Sequence, residues 1–216
     1  MFNAVLYTQW KWVRVPLLLL TLASFALPVL SVRSQYDAAI PAVALLARIQ
    51  SWGLLYPVLA LCIGVLVALI IWTADRAGRH VYALSMPLPR WRFVLLRFGA
   101  GLVLVLAPVV LLGIGALIAT AVTRLPPGVN AYPGGITLRF LLATLVAFSL
   151  AFAAAAGTSR LSRVVLGVIA LVIVVEIALS LAGVTGVDPV LRVLEWMASP
   201  TGPLDIFAGR WMLFDA

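Results

Sequence analysis

The chain has 216 residues, of which 64% are hydrophobic and only 10% are charged, and its mean hydropathy is +1.17. One water-soluble domain cannot bury that much apolar surface, so the composition excludes a soluble fold and predicts an integral membrane protein. The fifteen Lys and Arg residues outnumber the seven Asp and Glu residues. Because these cations stand at the ends of apolar runs and form no basic face, they indicate membrane topology and argue against a nucleic-acid partner.

Five apolar runs are predicted to cross the lipid bilayer as helices, which gives an all-α polytopic protein with one transmembrane domain over residues 1–216. The runs cover residues 15–32, 54–72, 93–122, 138–157 and 164–183. Residues 184–216 are less apolar and are predicted to form a tail that does not cross the membrane.

The stretch before the first run, Met1 to Arg14, mixes tryptophans with cations. Trp10 and Trp12 beside Lys11 are typical of the headgroup level, so this stretch is predicted to form a short interfacial helix that leads into the bilayer. A cleaved signal peptide is the alternative. The apolar run is long for a signal peptide and its lead is rich in aromatic residues, so we favour a retained first span.

Two further features mark the edges of the predicted spans. Trp72 closes the second run and is expected to anchor it at the interface. The stretch from Arg124 to Thr137 is rich in Pro and Gly and is predicted to be a loop. The single cysteine, Cys62, lies within an apolar run and leaves no disulfide framework to predict.

The distribution of cations orients the predicted spans. If the N-terminus is cytoplasmic, the short segments on that side hold more Lys and Arg than the segments opposite, as the positive-inside rule requires. The residues after 184 are then external.

Enzyme chemistry has little support in the sequence. There is no G-x-x-x-x-G-K-[ST] loop for nucleotide phosphates, no His, Cys and carboxylate set at metal-ligand spacing, and no nucleophile beside a base. We therefore predict no catalytic residue, no metal site and no cofactor. The one histidine, His80, needs no role beyond a solvated or headgroup-facing one.

Glu176 is the one acid within a long apolar run. A carboxyl group in hydrocarbon costs several kcal/mol unless it is paired, protonated or facing water. It either lines a translocation path or contacts a neighbouring subunit, or it is a neutral structural group bonded to a carbonyl or hydroxyl of another helix. The sequence leaves these alternatives open.

The segment between the second and third runs, Thr73 to Arg97, is rich in arginine. Asp75 to Leu84 is predicted to form a short helix, with the acid at its N-terminal end. Pro87 then breaks that helix, and Trp91 marks re-entry at the headgroups. Such a segment either presents a short helix to a cytosolic partner or is an ordinary positive-inside anchor.

The run from Trp72 to Gly101, WTADRAGRHVYALSMPLPRWRFVLLRFGAG, resembles the segment between the second and third spans of ABC transporter permeases of the type 2 exporter family. In that family an acidic residue closes the second span and a short coupling helix follows. A pattern L-S-x-P-x-x-R-x-x-x-x-x-x-K/R then leads into the third span. In this chain the acidic residue is Asp75. The residues that match the pattern are Leu84, Ser85, Pro87, Arg90 and Arg97.

The resemblance implies that the chain is the membrane-spanning permease subunit of an ATP-driven exporter in the bacterial inner membrane, and is not itself an enzyme. A separate ATP-binding cassette ATPase would dock on the coupling helix, and two copies or two related permeases would line the path. The coupling-helix residues implied to contact the ATPase are Asp75, Arg76, Arg79, His80, Tyr82 and Leu84.

The family has six spans, and this chain stops where a sixth would begin. We therefore expect either a chain recorded without its last span or a shortened relative. A non-transporting structural or accessory subunit of a larger membrane complex is the alternative function. The residues do not specify a substrate, a direction of movement, or homodimeric or heterodimeric pairing.

Overall fold

The computed structural model describes residues 2–33, 51–77, 89–123 and 130–156, together with residues 196, 199, 202, 204–207, 211 and 213–215. For residues 51, 73–77, 90 and 215 it describes the backbone alone. Two compact units are present, one formed by Met1–Phe152 with Arg210–Ala216 and the other by Ala153–Gly209. In the second unit, a short 3-10 turn covers Asp205–Phe207 and the Trp196 side chain is exposed.

Four long helices dominate the described part of the chain, and each is long and apolar enough to cross a membrane. This confirms a mostly helical protein suited to a bilayer. A one-turn 3-10 helix, Ser51–Leu54, precedes the second of them. The helices are α1 (Phe2–Arg33), α2 (Leu55–Ala77), α3 (Arg90–Val122) and α4 (Pro133–Ala156). The predicted fifth span, residues 164–183, lies outside the described residues.

The predicted interfacial stretch and the first span are one continuous helix. α1 runs through both Pro16 and Pro28 without a break. Its buried residues include Gln9, Val13 and Leu17, which follow one another at four-residue spacing and form a single stripe that continues from the aromatic lead into the apolar run.

The helix α2 extends beyond the predicted second span. Its backbone stays helical through Asp75 and Arg76 to Ala77, so Asp75 lies in the last turn of α2 and does not open a separate helix. The physical reason is that no helix-breaking residue occurs between Gly64 and Gly78. The remainder of the predicted coupling helix lies outside the described residues.

The helix α4 begins five residues earlier than predicted, at Pro133 instead of Leu138, so the predicted loop was wrong over residues 133–137. Proline favours the first turn of a helix because its φ is already helical and it has no N–H to leave unbonded. The Ile136 N–H donates to the Tyr132 carbonyl oxygen over 3.1 Å, which closes that first turn.

The four helices alternate in direction. α1 and α3 run parallel, since Gln9 contacts Arg97 near the start of both helices and Phe25 contacts Gly115 further along. Among α1, α2 and α3, these two helices share the most extensive contact. At Gly115 an added Cβ would lie 2.5 Å from the Phe25 carbonyl oxygen, so glycine is what lets these two backbones approach.

A small antiparallel sheet joins two distant parts of the first unit. β1 (Asn130–Ala131) pairs with β2 (Phe214–Asp215), with Ala131 opposite Phe214. The Tyr132 N–H donates to the Leu213 carbonyl oxygen over 2.9 Å and extends the pairing by one bond. Residues 213–215 therefore fold back onto the segment that leads into α4.

Candidate functional site

Side-chain clusters lie at both ends of the helix bundle. We call one the Arg97 end; it contains Gln9, Trp72, Arg97 and Phe152, where α1 and α3 begin and α2 and α4 finish. The other, the Trp211 end, contains Tyr56, Arg139, Trp211 and Phe214. The predicted partner-binding segment adjoins the Arg97 end, because α2 leads into it and α3 leads out of it.

Arg97 is a buried cation at the centre of the Arg97 end. Only 9% of the residue is exposed. Its guanidinium carbon lies 5.2 Å from the Trp72 ring centroid and 5.0 Å from the Phe93 ring centroid. Arginine tolerates such a site better than lysine, since its charge is delocalised, weakly hydrated and able to stack on aromatic rings. Arg97 therefore ties the end of α2 to the start of α3.

Gln9 connects α1 to the same place. Its Nε2 donates to the Arg97 carbonyl oxygen over 3.2 Å, and its side chain is almost fully buried. Its Oε1 is also buried and has no hydrogen-bond partner among the described residues. The hydrogen bond from Gln9 Nε2 fixes the position of α1 against α3. It adds little net stability, because the buried Gln9 Oε1 has lost its hydration without gaining a hydrogen bond.

Four aromatic rings fill the space beside Arg97. The ring centroids of Trp72 and Phe152 are 5.4 Å apart, and those of Phe98 and Phe152 are 5.2 Å apart. Phe148 completes the cluster at 5.4 Å from Phe98 and 5.6 Å from Phe152. These distances suit edge-to-face and offset packing. The predicted interfacial anchor Trp72 is thus packed inside the protein, because Phe152 of α4 and the Arg97 guanidinium of α3 pack against it.

The outer surface of the Arg97 end carries exposed aromatic and cationic side chains, in contrast to its buried interior. Trp91 is exposed, and the guanidinium of Arg92 lies 5.1 Å from its ring centroid. Trp10, Lys11 and Trp12 on α1 are exposed as well. Aromatic rings with neighbouring cations are suited to the boundary between acyl chains and headgroups.

An open groove lies on the side of the bundle, between α1 and α3. Its volume is about 410 Å³, and it is lined by Leu18, Thr21, Leu22, Phe25 and Leu111. The one hydroxyl in the lining, that of Thr21, already donates to the Leu17 carbonyl oxygen over 2.7 Å. The lining therefore offers hydrocarbon contacts and little polar recognition.

The predicted site residues have different outcomes. Arg97 is described in full and lies inside α3 within the bundle, not on the loop side of it. Asp75, Arg76 and Arg90 are placed by their backbone alone, in the last turn of α2 and the first turn of α3. The others lie outside the described residues; they are Arg79, His80, Tyr82, Leu84, Ser85, Pro87 and Glu176.

Sequence reasoning missed Gln9 and Trp211. Gln9 had a signal, since it is an amide at four-residue spacing from the apolar Val13 and Leu17. Trp211 had a weaker one, because the run from Trp211 to Phe214 is apolar yet too short to span a membrane and must be buried elsewhere. Within the described ranges, no three His, Cys, Asp or Glu side chains are grouped so as to hold a metal ion.

No family profile, curated protein or solved structure matches this chain.

The Gln9 amide, with one hydrogen bond and one unbonded buried oxygen, allows a prediction about stability. We expect Gln9→Leu to change the free energy of unfolding by less than about 1 kcal/mol, because it removes a hydrogen bond and an unbonded buried oxygen together. Gln9→Ala should cost more, roughly 1–2 kcal/mol, since it also leaves a cavity against Arg97. Unfolding in mixed detergent micelles measures both variants. If Gln9→Leu costs as much as Gln9→Ala or more, the hydrogen bond to α3 stabilises the fold strongly.

Proposed function

We propose that this chain is the membrane-spanning permease subunit of an ATP-driven ABC exporter of the type 2 family. The observation that carries the proposal is the run from Trp72 to Gly101, in which an acid, an L-S-x-P element and two spaced arginines follow the family's order. The subunit hydrolyses no ATP itself, and it needs no cofactor. A separate ATP-binding cassette ATPase docks on the segment from Asp75 to Leu84.

The packing at the Arg97 end supports this proposal, because it joins the two helices that flank the docking segment. The Arg97 guanidinium stacks on Trp72 of α2 from within α3. A force applied to the segment between these helices would therefore move both helices together. The hydrogen bond from Gln9 brings α1 into the same unit.

The mechanism that we propose is mechanical. ATP-dependent closure of the ATPase pushes on the docking segment, which tilts α2 and α3 as one body and changes access to a path between two permeases. The second permease is another copy of this chain or a relative of it. This paired arrangement comes from the family resemblance.

In the same proposal, the protein lies in a bacterial inner membrane with its N-terminus and Arg97 end in the cytoplasm. The described cations support this orientation. Lys11, Arg14, Arg92 and Arg97 are at the Arg97 end, whereas Arg33 and Arg139 are at the other. A surplus of cations favours the cytoplasmic side. Residues after 184, with the Trp211 end, are then external.

The test of the proposal is co-purification. We expect Arg79→Glu combined with Leu84→Asp to lower the recovery of a Walker-motif ATPase with the purified protein by roughly tenfold or more, since a factor of ten corresponds to only about 1.4 kcal/mol of binding free energy. The reversal repels an acidic partner surface, and the aspartate replaces an apolar contact. Mass spectrometry of material purified from native membranes measures the recovery.

The control is Arg33→Glu, an equal reversal on an exposed residue at the end of α1 away from the Arg97 end. It should leave the ATPase bound, while both variants keep the elution volume of the wild type. Undiminished recovery with the double variant, or absence of any ATPase from the wild-type sample, would contradict the docking proposal.

A second function is kept because one observation favours it. Helix contacts are close at several glycines; an added Cβ at Gly64 would lie 2.6 Å from Ala147 Cβ. Such close packing leaves little room for the helices to move past one another, which suits a rigid scaffold. If purification yields other membrane proteins in stable stoichiometry and no ATPase, the chain is a non-transporting structural subunit.

A further inference from the structure

Trp211 is held between two helices at the Trp211 end. Its ring stacks on that of Tyr56, with 6.3 Å between centroids and 5° between planes. The guanidinium of Arg139 lies 4.9 Å from the centroid of the same indole. Tyr56 belongs to the first turn of α2 and Arg139 to the second turn of α4. One side chain from the C-terminal segment thus contacts the starts of both helices.

The backbone of Trp211 is packed closely against its neighbours, as its ring is. An added Cβ at Gly53 would lie 3.0 Å from the Trp211 carbonyl oxygen, so the turn before α2 approaches the segment closely. Leu213 and Phe214 are almost fully buried. Three large apolar side chains within four residues are therefore buried at this end of the bundle.

The contact extends to a third helix. The Tyr56 hydroxyl lies 3.5 Å from the Ser31 hydroxyl near the end of α1, a distance at the limit of a hydrogen bond. The segment that carries Trp211 therefore connects, directly or through Tyr56, with α1, α2 and α4.

We propose that the segment carrying Trp211, Leu213 and Phe214 forms a releasable strap that keeps the starts of α2 and α4 together, so that this end of the bundle widens only when the strap leaves. The strap is a property of the helix bundle and stands whether or not the chain transports anything. Its side-chain contacts span two helices, since Trp211 contacts both Tyr56 of α2 and Arg139 of α4.

The way the strap is attached makes release feasible. Its backbone is paired over two residues, with one further bond from Tyr132. Two short strands are marginally stable without side-chain packing, so docking depends on the buried anchors, above all on Trp211. Removing one indole should therefore undock the strap while the four helices remain.

The first measurement is a distance across the strapped end. Spin labels are placed at Leu54→Cys and Leu138→Cys, both exposed positions, in full-length protein that carries Cys62→Ala and is reconstituted in lipid nanodiscs. Pulsed electron resonance should give one narrow distance distribution. Trp211→Ala should broaden it toward longer distances, and Trp211→Phe should stay near the narrow distribution. Trp196→Ala, at an indole that is 63% exposed, is the matched control and should change nothing.

A second measurement applies even if Trp211→Ala fails to fold. In the Cys62→Ala background, Phe214→Cys is labelled with a water-soluble maleimide and compared with Tyr132→Cys, a half-exposed neighbour. Labelling of position 214 should be slower by roughly tenfold or more, yet reach completion, because the strap opens locally. Equal rates at both positions, no labelling at position 214, or an unchanged distance distribution in Trp211→Ala would each overturn the strap.

Discussion

Gly64→Ala is expected to lower the free energy of unfolding by about 2–3 kcal/mol, which is large for the addition of one methyl group. The added carbon would lie 2.6 Å from both Ala147 Cβ and the Phe148 backbone nitrogen. A backbone atom cannot turn aside as a flexible side chain can, so α2 and α4 would have to separate. In a membrane this separation also weakens dispersion contacts, which are the main attraction between apolar helices there.

Gly99→Ala is the matched control for that prediction. It makes the same chemical change inside α3, but its added carbon meets nothing closer than Phe2 Cε2 at 3.7 Å. Because alanine favours helix over glycine, this variant should be as stable as the wild type or more stable by up to about 1 kcal/mol. Titration with sodium dodecyl sulfate measures both variants. Equal effects of the two substitutions would show that α2 and α4 are not in close contact at Gly64.

Phe148→Ala is expected to cost roughly 2–4 kcal/mol. Phe148 is fully buried and contacts two other rings of the aromatic cluster, Phe98 and Phe152. Its removal leaves a cavity among rings that are themselves held by neighbouring helices. The free energy of transferring the side chain out of the interior contributes less than in a soluble protein, because the surrounding lipid is apolar too. The loss of van der Waals contacts contributes as it does in a soluble protein.

A second substitution tests the geometry of that cavity. At Gly101 an added Cβ would lie 2.5 Å from Phe148 Cζ and 2.9 Å from Ile71 Cδ1, so Gly101→Ala alone should cost about 1–3 kcal/mol. Combined with Phe148→Ala, the new methyl group enters the vacated space. The double variant should be more stable than the sum of the two single effects predicts, by about 1 kcal/mol or more. Simple additivity would mean that Phe148 and Gly101 do not meet.

The helices themselves were largely predictable from the sequence. The lengths of the apolar runs predict the ends of α2 and α3 to within a few residues of those observed. This works because a helix that crosses a bilayer needs a minimum number of apolar residues. The start of α4 was misplaced since Gly134 and Gly135 were interpreted as loop residues, whereas Pro133 before them sets the helical turn. The end of α2 was misplaced because Asp75 was assigned to the start of another helix.

The contacts at the two ends were not predictable in the same way. Arg97 was singled out by its spacing from Pro87 and Arg90, but its burial depends on Trp72, which comes from another helix. The partners of Trp211 lie far away in the chain. Such contacts depend on how helices are arranged in space, and a single sequence carries no direct signal for that arrangement. The coupling function likewise stays a prediction.

The parallel pairing of α1 with α3 has a consequence for biosynthesis. When a ribosome delivers the helices one after another, α1 enters the membrane with α2 but without α3, with which its contact is more extensive. The hairpin of α1 and α2 must therefore remain in the membrane without this contact until α3 is inserted. Only then can Phe25 pack against Gly115. Chains whose synthesis stalls after Ala77 would therefore expose the α1 surface that packs against α3 in the complete bundle.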